Sequence, residues 1–172
     1  MNEYFDAMTA AIFAQRGMIN DFIGDGIMAV FGAPLADSDH ALHAVQSALA
    51  MQQALQDLNR RWEVEGLPTL DMGIGIHTGE VFAGNVGGAG KLKYAIVGDP
   101  VNATARLEGL NKDLGTSILM TGEIHTLLGD LLETRDCGEV SVKGRTQPLH
   151  VYELLGLRAD DEPHKREGLG EG

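Results

Sequence analysis

The chain has one cysteine, Cys137, among 172 residues, which excludes an intramolecular disulfide and fits a reducing compartment. Cys137 reads as a small core residue rather than a nucleophile. Basic residues are scarce too, with 13 Lys and Arg against 25 Asp and Glu, a formal net charge of −12. General binding to nucleic acid or to an anionic membrane needs a broad basic footprint, so neither is expected, and any phosphate site must be locally basic. No apolar run approaches the roughly 20 residues of a membrane span. The N-terminal stretch MNEYFDAMTAAIF lacks the basic flank of a secretory signal. The expected setting is the cytoplasm, free or as the cytosolic part of a larger membrane or multidomain protein.

What is present suffices for one globular domain: 44% hydrophobic residues can build a core without disulfide or structural metal. The 23 glycines are about twice the usual share, so sharp turns and close backbone approaches should be frequent. Phe5, Met8 and Ile12 recur at helical spacing over residues 2–16, ahead of Gly17. GMINDFI and IMAVFG then read as two strands joined at Gly24-Asp25-Gly26, where the Asp-Gly pair signals a hairpin turn. From Ser38 to Val64, gaps of three and four between Ala41, Val45, Ala48, Met51, Leu55, Leu58 and Trp62 predict one long amphipathic helix.

LDMGIGIH and GEVFAGNVG read as strands flanking a His77-Thr78-Gly79 turn, and LKYAIVG as a further strand. Asp99 as cap and Pro100 in the first turn open a helix that runs to Gly115. A short strand SILM, a short helix TGEIHTLLG and two closing strands, ETRDCGEVSV and PLHVYELLG, complete a domain over 1–157. The acidic and polar stretch 158–172 has almost no apolar residues and is expected to be a disordered tail. The strand and helix order lacks the strict alternation of a doubly wound fold. An α+β sandwich, with helices on one face of a mixed, mostly antiparallel sheet, fits better.

Two glycine motifs fail on inspection. GDGIMA resembles a dinucleotide fingerprint but precedes a strand rather than a helix. GGAGKL lacks the first glycine of a phosphate loop, where Asn85 stands, and has Leu92 at the Mg²⁺-binding hydroxyl position. His40 and His43 with Asp37 and Asp39 form no closed coordination set and read as solvated caps. Asp25 alone is a turn residue. Asn102 and Arg106, spaced i, i+4, share one helix face near its start, as an anion site or as an ordinary polar surface. Lys143 and Arg145, flanking Gly144, are an anion clamp or a solvated turn.

In combination the segments are more specific. FIGDGIMAVFGAP, GIGIHTGEVFAGNVG, YAIVGDPVNATARLEGLNK and VKGRTQPLHVYEL, in that order, resemble the catalytic domain of class III adenylate and guanylate cyclases over residues 2–155. The resemblance implies a ferredoxin-like α/β sandwich that works as a head-to-tail homodimer with its sites at the subunit interface. It implies a substrate, GTP or ATP, cyclised with two Mg²⁺ or Mn²⁺ ions held by two aspartates. Asp25 matches the second of those aspartates. Asn102 matches the residue that orients the ribose, Arg106 the one that stabilises charge on the α-phosphate, and Lys143 the one that holds the terminal phosphates.

The base-reading positions are Asp21 and Ala95, where adenylate cyclases of the family typically carry Lys and Asp or Thr. Guanine N1 and its 2-amino group donate hydrogen bonds and suit a carboxylate, whereas adenine N1 accepts and suits a lysine, so Asp21 favours GTP. Ala95 offers no donor to guanine O6. In the family, a strand-turn-helix segment with the first metal aspartate precedes the helix that begins here at Asn2. The sheet is therefore expected to lack its first strand, and this shortened chain to turn over little, since one carboxylate cannot hold two ions about 4 Å apart. The rival expectation is a cyclase-homology module that dimerises without catalysis.

Overall fold

A computed structural model describes residues 1–142 and 144–158. The expected tail falls outside the described residues except for Arg158, whose N–H donates to the Leu131 carbonyl at 3.0 Å.

Helix α1 (Asn2–Ala14) buries Tyr4, Met8 and Ile12 at every fourth position. Tyr4 takes the inner place expected of Phe5, which is half-buried. Arg16, at φ 63°, and Gly17 end the helix. Strands β1 (Met18–Ile23) and β2 (Gly26–Val30) pair antiparallel, with Ile23 opposite Gly26, so the loop is Gly24-Asp25. Positive φ falls on Gly24, at 61°, rather than on the predicted Asp-Gly pair. A two-residue hairpin with glycine at its first central position matches the strand twist without straining Asp25.

Helix α2 (His40–Val64) serves two cores along one stripe. Its first half places Ala41, Val45 and Ala48 against Ile76, Met120, Ile124 and Leu154. Its second half places Leu55, Leu58 and Trp62 against Tyr4 and Met8 of α1.

The main sheet has the order β3 (Ile74–Ile76), β6 (Ile118–Thr121), β8 (Leu149–Leu157), β7 (Leu132–Val140). The β3–β6 pair is parallel and the other two pairs are antiparallel. Strand β4 (Phe82–Val86) pairs with β5 (Lys93–Val97) in a separate ribbon, as β1 does with β2, so β3 and β4 do not flank a shared turn. Helices cover both faces of the main sheet, not one. Strand β6 dictates this, since all four of its residues are buried: Ile118 and Met120 face α2, and Leu119 faces the next helix.

That helix, α3 (Asp99–Leu114), starts from Gly98; Asp99, expected as the cap, makes no capping side-chain hydrogen bond and sits in the first turn beside Pro100. Ala103 and Leu107 fill its inner face. It lies directly on β3, because a Cβ at Gly75 would stand 2.6 Å from the Glu108 nitrogen and 2.8 Å from the Thr104 carbonyl oxygen. Buried Asn111 locks the contact. Its Nδ2 donates to the Ile74 carbonyl at 3.0 Å, and its Oδ1 accepts from the Thr116 hydroxyl at 2.9 Å. Helix α4 (Gly122–Leu128) caps the sheet beside α2. Cys137, expected inside, is half-buried at the margin of the α3 core. Among the described residues no helix is long and apolar enough to cross a membrane.

Candidate functional site

The residues singled out from sequence fall into two groups. Asp25 sits at the exposed apex of the β1–β2 hairpin. Its charge and that of Glu108 add to the burial that raises the Tyr4 phenol, whose hydroxyl donates to Met72 Sδ at 3.1 Å. Asp21 lies on β1 just beyond a register irregularity at Asn20. Its carboxylate accepts from Lys93 Nζ of β5 at 3.0 Å and from the Phe22 N–H at 3.0 Å. The Lys93 bond and charge hold the Asp21 carboxyl below the usual carboxylate range. Ala95, half-buried on β5, stands opposite Gly84 of β4.

The second group is on α3. Asn102 and Arg106 are exposed on one stripe of the helix, as their spacing requires, about 100° round from buried Ala103 and Leu107. The Arg106 guanidinium lies against the turn between β7 and β8: both of its terminal nitrogens are 3.5 Å from where a Cβ of Gly144 would stand. Glycine suits the turn because its φ is 90°. Lys143 itself lies outside the described residues. Its neighbour Arg145 reaches Asp99 of the α3 first turn, with Nε 3.6 Å from Oδ2, and its buried Nη1 has no hydrogen-bond partner among the described residues. The β7–β8 turn and the start of α3 thus form one basic corner. In an acidic chain, this is the local cation cluster a phosphate site needs.

His77 was read only as part of a turn. It is buried under this corner, with Nδ1 2.8 Å from the Thr121 hydroxyl and 4.0 Å from a Glu123 carboxylate oxygen. Burial, together with the nearby Arg145 charge, lowers its pKa against the opposing pull of Glu123 and Asp99. No sequence signal gave this, because its partners are brought together by the β3–β6 pairing. Lys93 was also missed, although strand alternation puts it on the same side of β5 as Ala95. Asp37, noted with the two histidines, accepts from the Asp39 N–H at 3.0 Å and contacts His43 Nδ1 at 2.5 Å.

For a divalent cation, the available donor is the exposed Asp25 carboxylate; among the described residues no three His, Cys, Asp or Glu side chains converge. A hard oxygen donor on a loop apex fits Mg²⁺ or Mn²⁺. Such ions are held by one or two carboxylates together with substrate phosphates and water rather than by a protein cage.

Residues 1–156 match the family described as the adenylate and guanylate cyclase catalytic domain. Adenylate cyclase 1 of Rhizobium meliloti strain 1021 is 40% identical over 157 residues, 91% of this chain and 24% of that protein. An adenylate cyclase of Anabaena cylindrica is 36% identical over 168 residues, 90% of this chain and 31% of that protein. The chain therefore spans less than a third of either relative. The crystal structure of the guanylyl cyclase Cya2 superposes with a TM-score of 0.83 at 36% identity, covering 94% of this chain and 81% of that one. That of the adenylyl cyclase CyaB from P. aeruginosa gives 0.83 at 31%, covering 92% and 82%.

Proposed function

The chain belongs to the adenylate and guanylate cyclase catalytic domain family, whose members are phosphorus–oxygen lyases, and on that footing we propose that it makes a 3′,5′-cyclic nucleotide and pyrophosphate for signalling, from GTP in preference to ATP. The ribose 3′-oxygen forms a bond to the α-phosphorus as the bond to the pyrophosphate oxygen breaks, and the 3′-hydroxyl proton is released.

Asn102 orients the ribose, and Arg106 stabilises the charge that develops on the α-phosphate. Lys143 holds the terminal phosphates. Asp25 would hold a divalent ion, Mg²⁺ or Mn²⁺, which when bound polarises the triphosphate and activates the 3′-hydroxyl; the complete site takes two. Asp21, kept ionised by Lys93, accepts from guanine N1–H and the 2-amino group. Ala95 borders the base without donating to it. Two copies pair head to tail, each site combining Asp25 of one subunit with Asn102 and Arg106 of the other.

The observation that carries this reading is the basic corner: Arg106 set against the Gly144 turn, beside Arg145, on the open face of a helix fixed to the sheet. The test is production of cyclic nucleotide and pyrophosphate from GTP and from ATP in excess Mn²⁺, with the protein at its natural full length. Cyclic GMP should form faster than cyclic AMP. Residues 1–172 alone, with Asp25 as their single family-matched metal carboxylate, are expected to turn over slowly. A full-length protein that dimerises but yields neither product would instead be a non-catalytic dimerisation module.

A further inference from the structure

The Asp21–Lys93 contact joins two ribbons that share no backbone pairing, and it is open to solvent, the two side chains being 47% and 63% exposed. An exposed ion pair of this kind holds structure weakly and yields its hydrogen bonds readily to a ligand. Beside it lies a strip of small residues partly covered by the Phe82 ring, whose Cζ would stand 3.2 Å from a Cβ at Gly84. Ala95, two residues along β5 and on the same side as Lys93, faces Gly84 across the ribbon. Beyond that strip the pair Phe82 and Val97 is exposed, at 63% and 55%. A carboxylate and an ammonium therefore sit side by side at the edge of a small-residue strip that carries an exposed aromatic ring.

The edge of a purine base presents neighbouring groups of opposite sense. On guanine, O6 accepts while N1–H and the 2-amino group donate; on adenine, the 6-amino group donates while N1 accepts. The order of acceptor and donor on the protein then decides the base. This step rests on the proposed function, in which residue 21 faces the N1 position. With the carboxylate there, the adjacent position must be filled by a donor to O6, and Ala95 has none.

We propose that Lys93 is a specificity-determining residue that donates to O6 of a guanine base while its partner Asp21 accepts from N1–H and the 2-amino group. The pair closes on itself when the site is empty. With the base in place it opens into an acceptor and a donor matched to guanine and mismatched to adenine, leaving like groups opposed at both positions for ATP.

The experiment uses the full-length protein with GTP, ATP and inosine triphosphate, which keeps O6 and N1–H but lacks the 2-amino group. Lys93→Met should lower kcat/KM about tenfold for both GTP and inosine triphosphate and leave ATP undiminished or raised; Lys93→Arg should restore most of the loss. Asp21→Asn should penalise GTP more than inosine triphosphate. Competition of each nucleotide against a fluorescent GTP analogue gives the same comparison without turnover. Equal losses for all three nucleotides would make Lys93 a structural tie and overturn the inference. A loss confined to ATP would put the lysine on adenine N1 and also overturn it. Cyclisation with no effect of Lys93→Met would overturn this inference and spare the proposed activity. The expected pattern in binding, with no cyclic product, would spare the inference and remove the activity. Absence of both binding and product would end both.

Discussion

The two ends of the candidate site are built to different standards of rigidity. Arg106 and Asn102 ride on α3, whose inner face buries Leu107 to 1% exposure, whose backbone touches β3 through Gly75, and whose Asn111 bonds across to Ile74. Asp25, Asp21 and Ala95 ride on two-stranded ribbons that are outside the main sheet. Such a ribbon is marginal by itself and depends on what packs against it. Ile27 reaches the α1 core, but Phe22 and Ile23 at the hairpin end stay exposed. The groups proposed to meet the developing charge are thus preorganised, where a small displacement would be most costly. The groups proposed to hold metal and base are set on elements that can adjust to a ligand.

The largest expected effects separate the two ends by chemistry. Arg106→Ala should lower kcat about 10²- to 10³-fold, the loss typical of one preorganised charge-stabilising donor. Asp25→Ala should abolish turnover. Because each proposed site draws Asp25 and Arg106 from opposite subunits, co-expressing the two variants puts both lesions in one site of a mixed dimer and leaves the other intact. Activity should return to at most about half the normal rate per dimer, diluted by inactive homodimers. A demonstrated mixed dimer with no recovery would put both residues in one subunit's site.

Next in size is the anchoring itself. Gly75→Ala forces a methyl group to within 2.6 Å of the Glu108 nitrogen, and backbone cannot swing away as a side chain can. The strain should cost about 1–3 kcal/mol in urea unfolding and lower kcat through displacement of α3. Gly88→Ala, in the β4–β5 loop with no described atom within 4 Å of the added methyl, should do neither. Equal effects at the two glycines would erase the distinction between anchored helix and open ribbon.

These contrasts explain which features could be read from sequence. Helices α2 and α3 were legible because their apolar residues recur on one stripe and their ends carry glycine, proline and charge. The i, i+4 pair Asn102 and Arg106 followed from helix geometry alone. Three local details were not. The hairpin put its positive φ on Gly24 because strand register, not the Asp-Gly motif, set the loop. Asp99 lost the cap to Gly98. Helices covered both faces of the sheet because β6 is apolar on both sides, which a four-residue run does not reveal. The Asp21–Lys93 pair spans 72 positions and exists only because the two ribbons meet. The His77–Thr121 bond likewise depends on the parallel β3–β6 pairing.

A smaller effect should appear with pH, and between pH 7 and 5 it belongs to the anchored end. His77 is depressed in the folded state below its ordinary value of 6.5. Above that value it is neutral folded or unfolded, and its contribution to stability is intact. As pH falls below 6.5 the unfolded chain takes up the proton first, so stability declines until the folded pKa is passed. Asp21, Asp37 and Asp136 are depressed too, but from 3.8, so they act in a lower window. Unfolding midpoints should therefore fall between pH 7 and 5, and His77→Gln should flatten that slope. Amide exchange should quicken first in β6 and the start of α3. An unchanged slope in the variant would exclude His77 as its source.

The smallest expected effect is on the stability of the ribbons. Lys93→Met removes the Asp21 partner without touching the core, and both side chains already see solvent. The attraction between them is screened by water and salt and offset by the side-chain order it demands. The urea midpoint should stay at its wild-type value at both low and high salt. That null result sharpens the contrast with Gly75→Ala: one site is held by packing whose perturbation costs stability, the other by an ion pair whose loss alters recognition alone. A clear fall in the midpoint, removed by added salt in the wild type, would show that the ribbons are tied by this pair. The β1–β2 and β4–β5 hairpins would then belong to the anchored part of the molecule, and Lys93 could not open to a base without cost to the fold.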